Sequence, residues 1–280
     1  MIAVDTVKKA SIRSHYQLGT LFYRLLWGPH IHHGLWHADE APSVAQCQLT
    51  DALADLAEIS PGQKIVDIGC GMGGSSIRLA KRRGIHATGV TLSPIQAHWA
   101  TVSSRLQRIN SSTQFIAHDA ETVVFPESSF DLVWSVECTE HLFDKPAFFA
   151  NAAKWLRPGG RIAICVWFEG EDTSRSDHHQ QCVEVCERFV CPSLATRKDY
   201  AGWMEDQGLT IRHNVEWTQH VTKTWEICKQ RVSRTGVRHL AKVLDRKQVD
   251  FIDGFDALLN AYRSGAMQYG AIVAQKPMSL

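Results

Sequence analysis

The sequence predicts an α/β fold: a doubly wound, mostly parallel sheet with helices on both faces, an N-terminal helical lid and an inserted helical cap. Three observations carry that expectation. Short apolar runs alternate with amphipathic stretches from Pro61 to Trp167. A glycine-rich turn, Gly69-Cys70-Gly71-Met72-Gly73-Gly74, follows the first of those runs. The segments on either side, residues 1–60 and those beyond Trp167, carry mostly helical spacing.

Taken in order, Val7 to Trp27 and Ser43 to Leu56 read as helices. Between them lies a polar and aromatic stretch, WGPHIHHGLW, in which Gly28-Pro29 ends the first helix. Lys64 to Ile68 is the first strand, followed by the glycine turn and a helix from Ser75 to Arg83. His86 to Thr91 is the next strand, and Ser93-Pro94 opens a helix running to about Ile109. Gln114 to Ala117, Phe130 to Ser135 and Arg161 to Trp167 read as further strands, with a helix over Pro146 to Leu156. Residues 169–176 are polar and loop-like, and 177–206 are helical with a break near Pro192. Leu209 to Trp217 predicts a strand, 221–264 is helical, and Gly270 to Gln275 is a last strand. The expected division is a lid over 1–60 and a sheet domain over 61–280 whose cap spans about 169–206.

Composition narrows the function. The net charge is +1 and charged residues make up 21% of the 280, with both signs interspersed, so no footprint for nucleic acid or an anionic membrane surface is visible. A small or weakly charged partner fits better, and a homo-oligomer is left open. No apolar run reaches the length of a membrane span and no secretory leader is apparent, which predicts a cytoplasmic protein. The eight cysteines form no CxxC pair and read as reduced, buried thiols. His178, Cys182 and Cys186 share a helix face at i, i+4, i+8; such spacing suits a metal, but the expected reading is a core face and no metal.

The chemistry lies in Val66-Asp67-Ile68-Gly69-Cys70-Gly71-Met72-Gly73-Gly74. Glycines at a strand-to-helix turn let the backbone approach a ligand, and the helix beyond presents free N–H groups to an anion. The turn suits a dinucleotide pyrophosphate or the carboxylate of S-adenosylmethionine. A nicotinamide enzyme requires an acid some 20 residues on to hold the ribose. Here the second strand runs into Thr91-Leu92-Ser93-Pro94, which argues against it.

The motif Asp67-x-Gly69-x-Gly71-x-Gly73 resembles the signature of class I methyltransferases. The runs VDIGCGMGGSS, GVTLSPIQ and WSVECTEHLFDK, with WGPHIHHGLW and the tail GAIVAQKP, are similar to the tocopherol C-methyltransferase group and its bacterial natural-product relatives. The resemblance implies S-adenosylmethionine as cofactor. It also implies a site in which Gly69, Gly71 and Gly73 form the turn and Asp67 braces it. Thr91, Leu92 and Gln96 would follow the ribose, Asp119 and Ala120 would meet the adenine, Ser135 would reach the methionine end, and Tyr16 would cover the cofactor. Two residues at carboxyl ends of strands are candidate bases: His141 and Glu169. The acceptor is expected to be small and hydrophobic, of natural-product or isoprenoid type, and methylated at carbon. The alternatives are O- or N-methylation of a small metabolite, a nicotinamide-dependent oxidoreductase, and a non-catalytic cofactor-binding domain.

Overall fold

A strand covered on both faces needs apolar residues on both parities, and the central strands have them. In the computed structural model, which describes residues 1–13, 28, 30–172, 176–235 and 246–278, two separate cores follow from that alternation. Ile65, Leu132, Trp134, Ala163, Cys165 and Val273 face one core; Val66, Ile68, Val133, Ile162, Ile164 and Ile272 face the other.

The strands are β2 (Lys64–Ile68), β3 (His86–Thr91), β4 (Thr113–Ala117), β5 (Phe130–Val136), β6 (Leu156–Glu169), β8 (Thr210–Glu216) and β9 (Met267–Gln275). They lie in the order β4-β3-β2-β5-β6-β9-β8. The pairings from β4 to β6 are parallel, whereas β9 runs antiparallel to both β6 and β8. The order reverses at β2, so the carboxyl ends of β2 and β5 flank a crevice, where open α/β sheets hold ligands.

Helices α1 (Pro42–Leu56) and α2 (Gly74–Arg83) bury Leu49, Leu53 and Leu79 in the first core. Helix α3 (Pro94–Leu106) starts on Ser93, whose Oγ accepts from the Gln96 N–H, with Pro94 at its first position. Helices α4 (Lys145–Trp155) and α6 (Arg197–Glu205) bring Phe148, Phe149, Tyr200 and Met204 to the second core. A Thr196–Asp199 capping box starts α6.

Further helices among the described residues are α5 (Ser176–Arg188), the short α7 (Thr218–Val221), α8 (Lys223–Thr235) and α9 (Arg246–Ser264). Cys182, Val185 and Cys186 of α5 join Trp225 of α8 and Phe251 and Phe255 of α9 in the first core. The expected 169–206 cap therefore divides. Its first helix joins α8 and α9, and its second, α6, lies in the layer beside α4. Cys182 Sγ donates to the Ala266 carbonyl at 3.1 Å, and His178 Nδ1 meets the Asp172 carbonyl at 2.8 Å. Among the described residues no three His, Cys, Asp or Glu side chains converge as a metal site.

Two elements differ from those expected. Strand β6 begins at Leu156, five residues before the expected Arg161. The Arg157-Pro158-Gly159-Gly160 stretch reads as a turn, but the ladder absorbs it as a register shift opposite Phe130 and Leu132. A two-stranded ribbon, β1 (Ile2–Ala3) with β7 (Ser193–Leu194), has no periodicity to announce it. It ties the N-terminal arm to the loop after α5, with Val4 N donating to the Pro192 carbonyl at 2.9 Å. Tyr16 and Trp27 lie outside the described residues. Among those described, no helix is long and apolar enough to cross a membrane.

If α6 is part of the core layer rather than a detachable cap, Met204→Ala should lower unfolding free energy by about 2–5 kcal/mol, as a buried methionine does. Urea denaturation followed by tryptophan fluorescence measures this; a loss below about 1 kcal/mol would place α6 outside the cooperative core.

Candidate active site

The site starts from Asp67, the penultimate residue of β2. Its Oδ2 accepts the Ser76 hydroxyl at 2.5 Å, joining the strand to the first turn of α2. Burial pushes its pKa up to about 7, against the Ser76 hydrogen bonds. Between these anchors the chain turns through three left-handed glycines, Gly69 (φ 80°), Gly71 (φ 52°) and Gly73 (φ 79°). Their reasons differ. A Cβ on Gly69 would sit 2.3 Å from the Cys138 Cβ, and one on Gly73 would sit 2.9 Å from Ala100 and the Phe115 ring. A Cβ on Gly71 would meet nothing within 4 Å, because that glycine borders an open cleft.

The cleft opens to solvent. Gly69, Gly71, Thr91, Leu92, Gln96, Asp119, Ala120 and His141 all line it, so the structure brings together eight residues singled out in the sequence. Thr91 Oγ1 donates to Gln96 Oε1 at 2.8 Å, which orients the amide. Gln96 Nε2 is then buried with no partner among the described residues, a donor suited to a ribose hydroxyl. Asp67 and Gly73 stand behind this wall. So does Ser135, whose hydroxyl donates to the Ile68 carbonyl at 2.9 Å and ties β5 to β2.

Asp119 has a companion that the sequence did not suggest. Lys9 Nζ lies 2.7 Å from Asp119 Oδ2 and 2.6 Å from Glu121 Oε2. Burial would lower the Lys9 pKa, but the two carboxylates outweigh it and raise the pKa. The end of the cleft at Asp119 is therefore an acid pair bridged by a lysine from the N-terminal arm.

The two candidate bases separate. His141, in the single 3-10 turn after β5, lines the cleft. Its Nδ1 is 3.2 Å from the Val190 carbonyl, which can only accept, so Nδ1 carries the proton and Nε2 the lone pair. Burial pushes its pKa down to about 4. Glu169 is not among the cleft residues; its Oε2 lies 3.3 Å from the Met1 α-amino group.

Glu137 and His33 complete the site. Glu137 follows β5, has φ 52° and lines the cleft. Its Oε1 accepts from the His33 backbone N–H at 2.8 Å and from Tyr269 Oη at 2.8 Å, and lies 2.9 Å from His33 Nδ1. Burial raises its pKa, but the hydrogen bonds from His33 prevail and hold the carboxyl below the usual range. No local pattern announces this pair, because the partners stand 104 residues apart. Behind them, Glu140 Oε1 accepts the Trp167 N–H at 2.6 Å, and burial pushes its carboxyl up to about 8.

Comparison with known proteins decides the identity. The family model of mycolic acid cyclopropane synthetase matches residues 5–272. The chain belongs to that family and is an S-adenosylmethionine-dependent methyltransferase. The methyltransferase is 36% identical over 258 residues to the 27-O-demethylrifamycin SV methyltransferase of Amycolatopsis mediterranei, covering 90% of this chain and 92% of that one. It is 29% identical to the chloroplastic tocopherol O-methyltransferase of Arabidopsis thaliana, covering 96% and 83% of the two chains. Its fold matches that of the geranyl diphosphate C-methyltransferase of Streptomyces coelicolor with a TM-score of 0.76, at 22% identity and with 95% and 97% of the chains covered.

Two measurements test this geometry. Gly71→Val should leave the methyltransferase folded but remove cofactor binding in calorimetry. Gly73→Val should cost about 1–3 kcal/mol of stability by overpacking against Ala100 and Phe115. Equal cofactor affinity in wild type and Gly71→Val would remove Gly71 from the site. The second concerns pH. Glu140 stays protonated in the folded chain up to about 8 but ionises near 4.5 when unfolded, so its contribution to stability falls as pH rises across that window. Glu140→Gln keeps the acceptor for the Trp167 N–H and cannot ionise. Its melting temperature should rise relative to wild type steadily from pH 5 to pH 8; a constant difference would contradict the shift.

Proposed function

We propose that the enzyme transfers a methyl group to carbon of a small, hydrophobic, electron-rich acceptor of natural-product or isoprenoid type. The observation that carries this reading is that one cleft joins the glycine turn to both an ionised Glu137 and a weakly basic His141, between apolar walls that include Ile31, Val136 and Leu142.

The cofactor supplies an electrophilic methyl group, and the chain supplies everything else. Gly69 and Gly71 leave room along the turn, the Gln96 amide offers a hydrogen bond to the ribose, and Asp119 and Ala120 border the adenine end. Lys9, Ile12 and Ile31 of the N-terminal segment border the cleft, and water displaced there when the ligands bind strengthens the charge interactions inside. Methylation at an alkene or ring carbon leaves a cation on the acceptor, which a fixed carboxylate stabilises. A C–H beside such a cation is strongly acidic, so a base with the depressed pKa of His141 suffices to take its proton through Nε2. A phenol or alcohol has a much higher pKa and calls for a stronger base. Glu169 does not line the cleft and takes no part in this reading. Eight free cysteines suit a reducing compartment such as the cytoplasm.

The test is product analysis. Prenylated hydroquinones, with matched alkenes, phenols and amines, are incubated with methyl-labelled cofactor, and NMR assigns the new methyl. A carbon-bound methyl on an apolar acceptor is expected; methylation confined to oxygen or nitrogen would overturn the reading. With the acceptor in hand, His141→Gln should reduce kcat about 10²-fold while cofactor affinity stays unchanged, as expected of a proton acceptor used after binding.

A further inference from the structure

The cleft contains three carboxylates, at Asp119, Glu121 and Glu137. Lys9 lies within 2.7 Å of both of the first two, so one ammonium group bridges that acid pair. No lysine or arginine is recorded against Glu137. It is held instead by neutral donors and by His33, and all of them meet one oxygen. Its Oε2 accepts from none of the described residues.

The arrangement of His33 explains that asymmetry. Its Nε2 accepts from the indole N–H of Trp225 at 2.5 Å, and the Tyr262 hydroxyl stands 3.3 Å away. An indole N–H can only donate, so the His33 proton is on Nδ1, facing Glu137. Rings of Trp167, Trp225, Tyr262 and Tyr269 surround the imidazole at centroid distances of 4.7 to 6.0 Å and leave it no other orientation. The His33 backbone N–H and the Tyr269 hydroxyl thus fix Oε1, with His33 Nδ1 facing it at 2.9 Å, and among the described residues Oε2 is the oxygen left without a donor.

We propose that His33 is a positioning residue that holds the Glu137 charge in the cofactor cleft, and that this charge makes the enzyme prefer the sulfonium cofactor over its neutral thioether product. The inference rests on the cleft being the cofactor site. The two ligands differ by a methyl group and one positive charge. An ionised carboxylate in a partly dehydrated wall favours the charged one.

Calorimetry with S-adenosylmethionine and S-adenosylhomocysteine, without any acceptor, tests this on the full chain. Glu137→Gln should weaken binding of the charged ligand roughly tenfold and change the neutral one by less than about twofold. His33→Leu should shift the same ratio in the same direction. His33→Asn, whose side-chain N–H stands where Nδ1–H stood, should restore much of it. Because His33 is buried, Tyr269→Phe provides a second route: it removes only the other donor to Oε1 and should reduce the ratio without emptying the core. Parallel loss of both affinities in these variants, or an unchanged ratio in Glu137→Gln, would overturn the proposal and leave the carbon-methylation reading intact. A wild type that binds both ligands, yet methylates only oxygen, would overturn that reading and leave this one standing.

Discussion

Asp67 is 3% exposed and bonded at 2.5 Å to the Ser76 hydroxyl, and this short link between the end of β2 and the start of α2 sets the geometry of the cleft. With both ends pinned, the intervening turn has to reverse within a few residues, which only left-handed glycines do without strain. Two of them are also wedged, Gly69 against Cys138 and Gly73 against Ala100 and Phe115, so the loop is fixed from behind on two sides. The third is left facing open space. Ser135 adds a second tie by donating to the Ile68 carbonyl, which holds β5 level with β2 and sets where Glu137 and His141 begin. The binding surface is therefore the exposed side of a buried hydrogen-bonded bracket.

Much of this was legible in the sequence, because it is local. The strands from β2 to β5 carry their own periodicity, Ser93-Pro94 carries the start of α3, and the glycine turn carries its own backbone requirement. Eight of the cleft residues were found in the sequence, through the glycine turn and the strand-end motifs that carry the family resemblance. What was not legible depends on distant pairing. The β1–β7 ribbon is two residues per strand, too short for any alternation. Lys9 reads as one more exposed cation until the fold carries it to Asp119 and Glu121. Glu137 and His33 were visible as residues but not as a pair. The histidines of WGPHIHHGLW gave a signal without an address, and only burial beside Trp225 and Tyr269 shows that one of the three orients a carboxylate. Glu169 followed the rule that ligands gather at strand ends, but it lies on β6 beside the N-terminal arm instead of over the crevice.

The buried ionisable groups show how the protein distributes polarity. Glu140 and Lys145 are both almost fully buried, and burial moves both of them to about 8, from opposite directions. Lys145 Nζ donates to the Leu142 carbonyl at 2.8 Å and the Ser193 hydroxyl at 2.6 Å. It thereby joins the segment that carries His141 to the loop that receives the N-terminal ribbon. The N-terminal ribbon and the turn that carries His141 share a polar foundation, so a change in the fit of one is felt by the other. Such groups are costly to bury and persist where they fix one arrangement among several.

The position of β9 has a consequence for synthesis. It lies between β6 and β8, antiparallel to both, yet it is made after β8 and after the whole of residues 217–266. On the ribosome, β8 has no neighbour to join until the helices α8 and α9 have emerged and β9 has slid into the gap. Until then β6 presents an unpaired edge bearing Ile162, Ile164, Val166 and Phe168, all fully buried in the finished protein. A nascent chain in that condition is sticky, and its long-range closure is slow compared with helix formation. The last strand is thus the step that removes an aggregation hazard, and truncations within it would be expected to fail in solubility before they fail in chemistry.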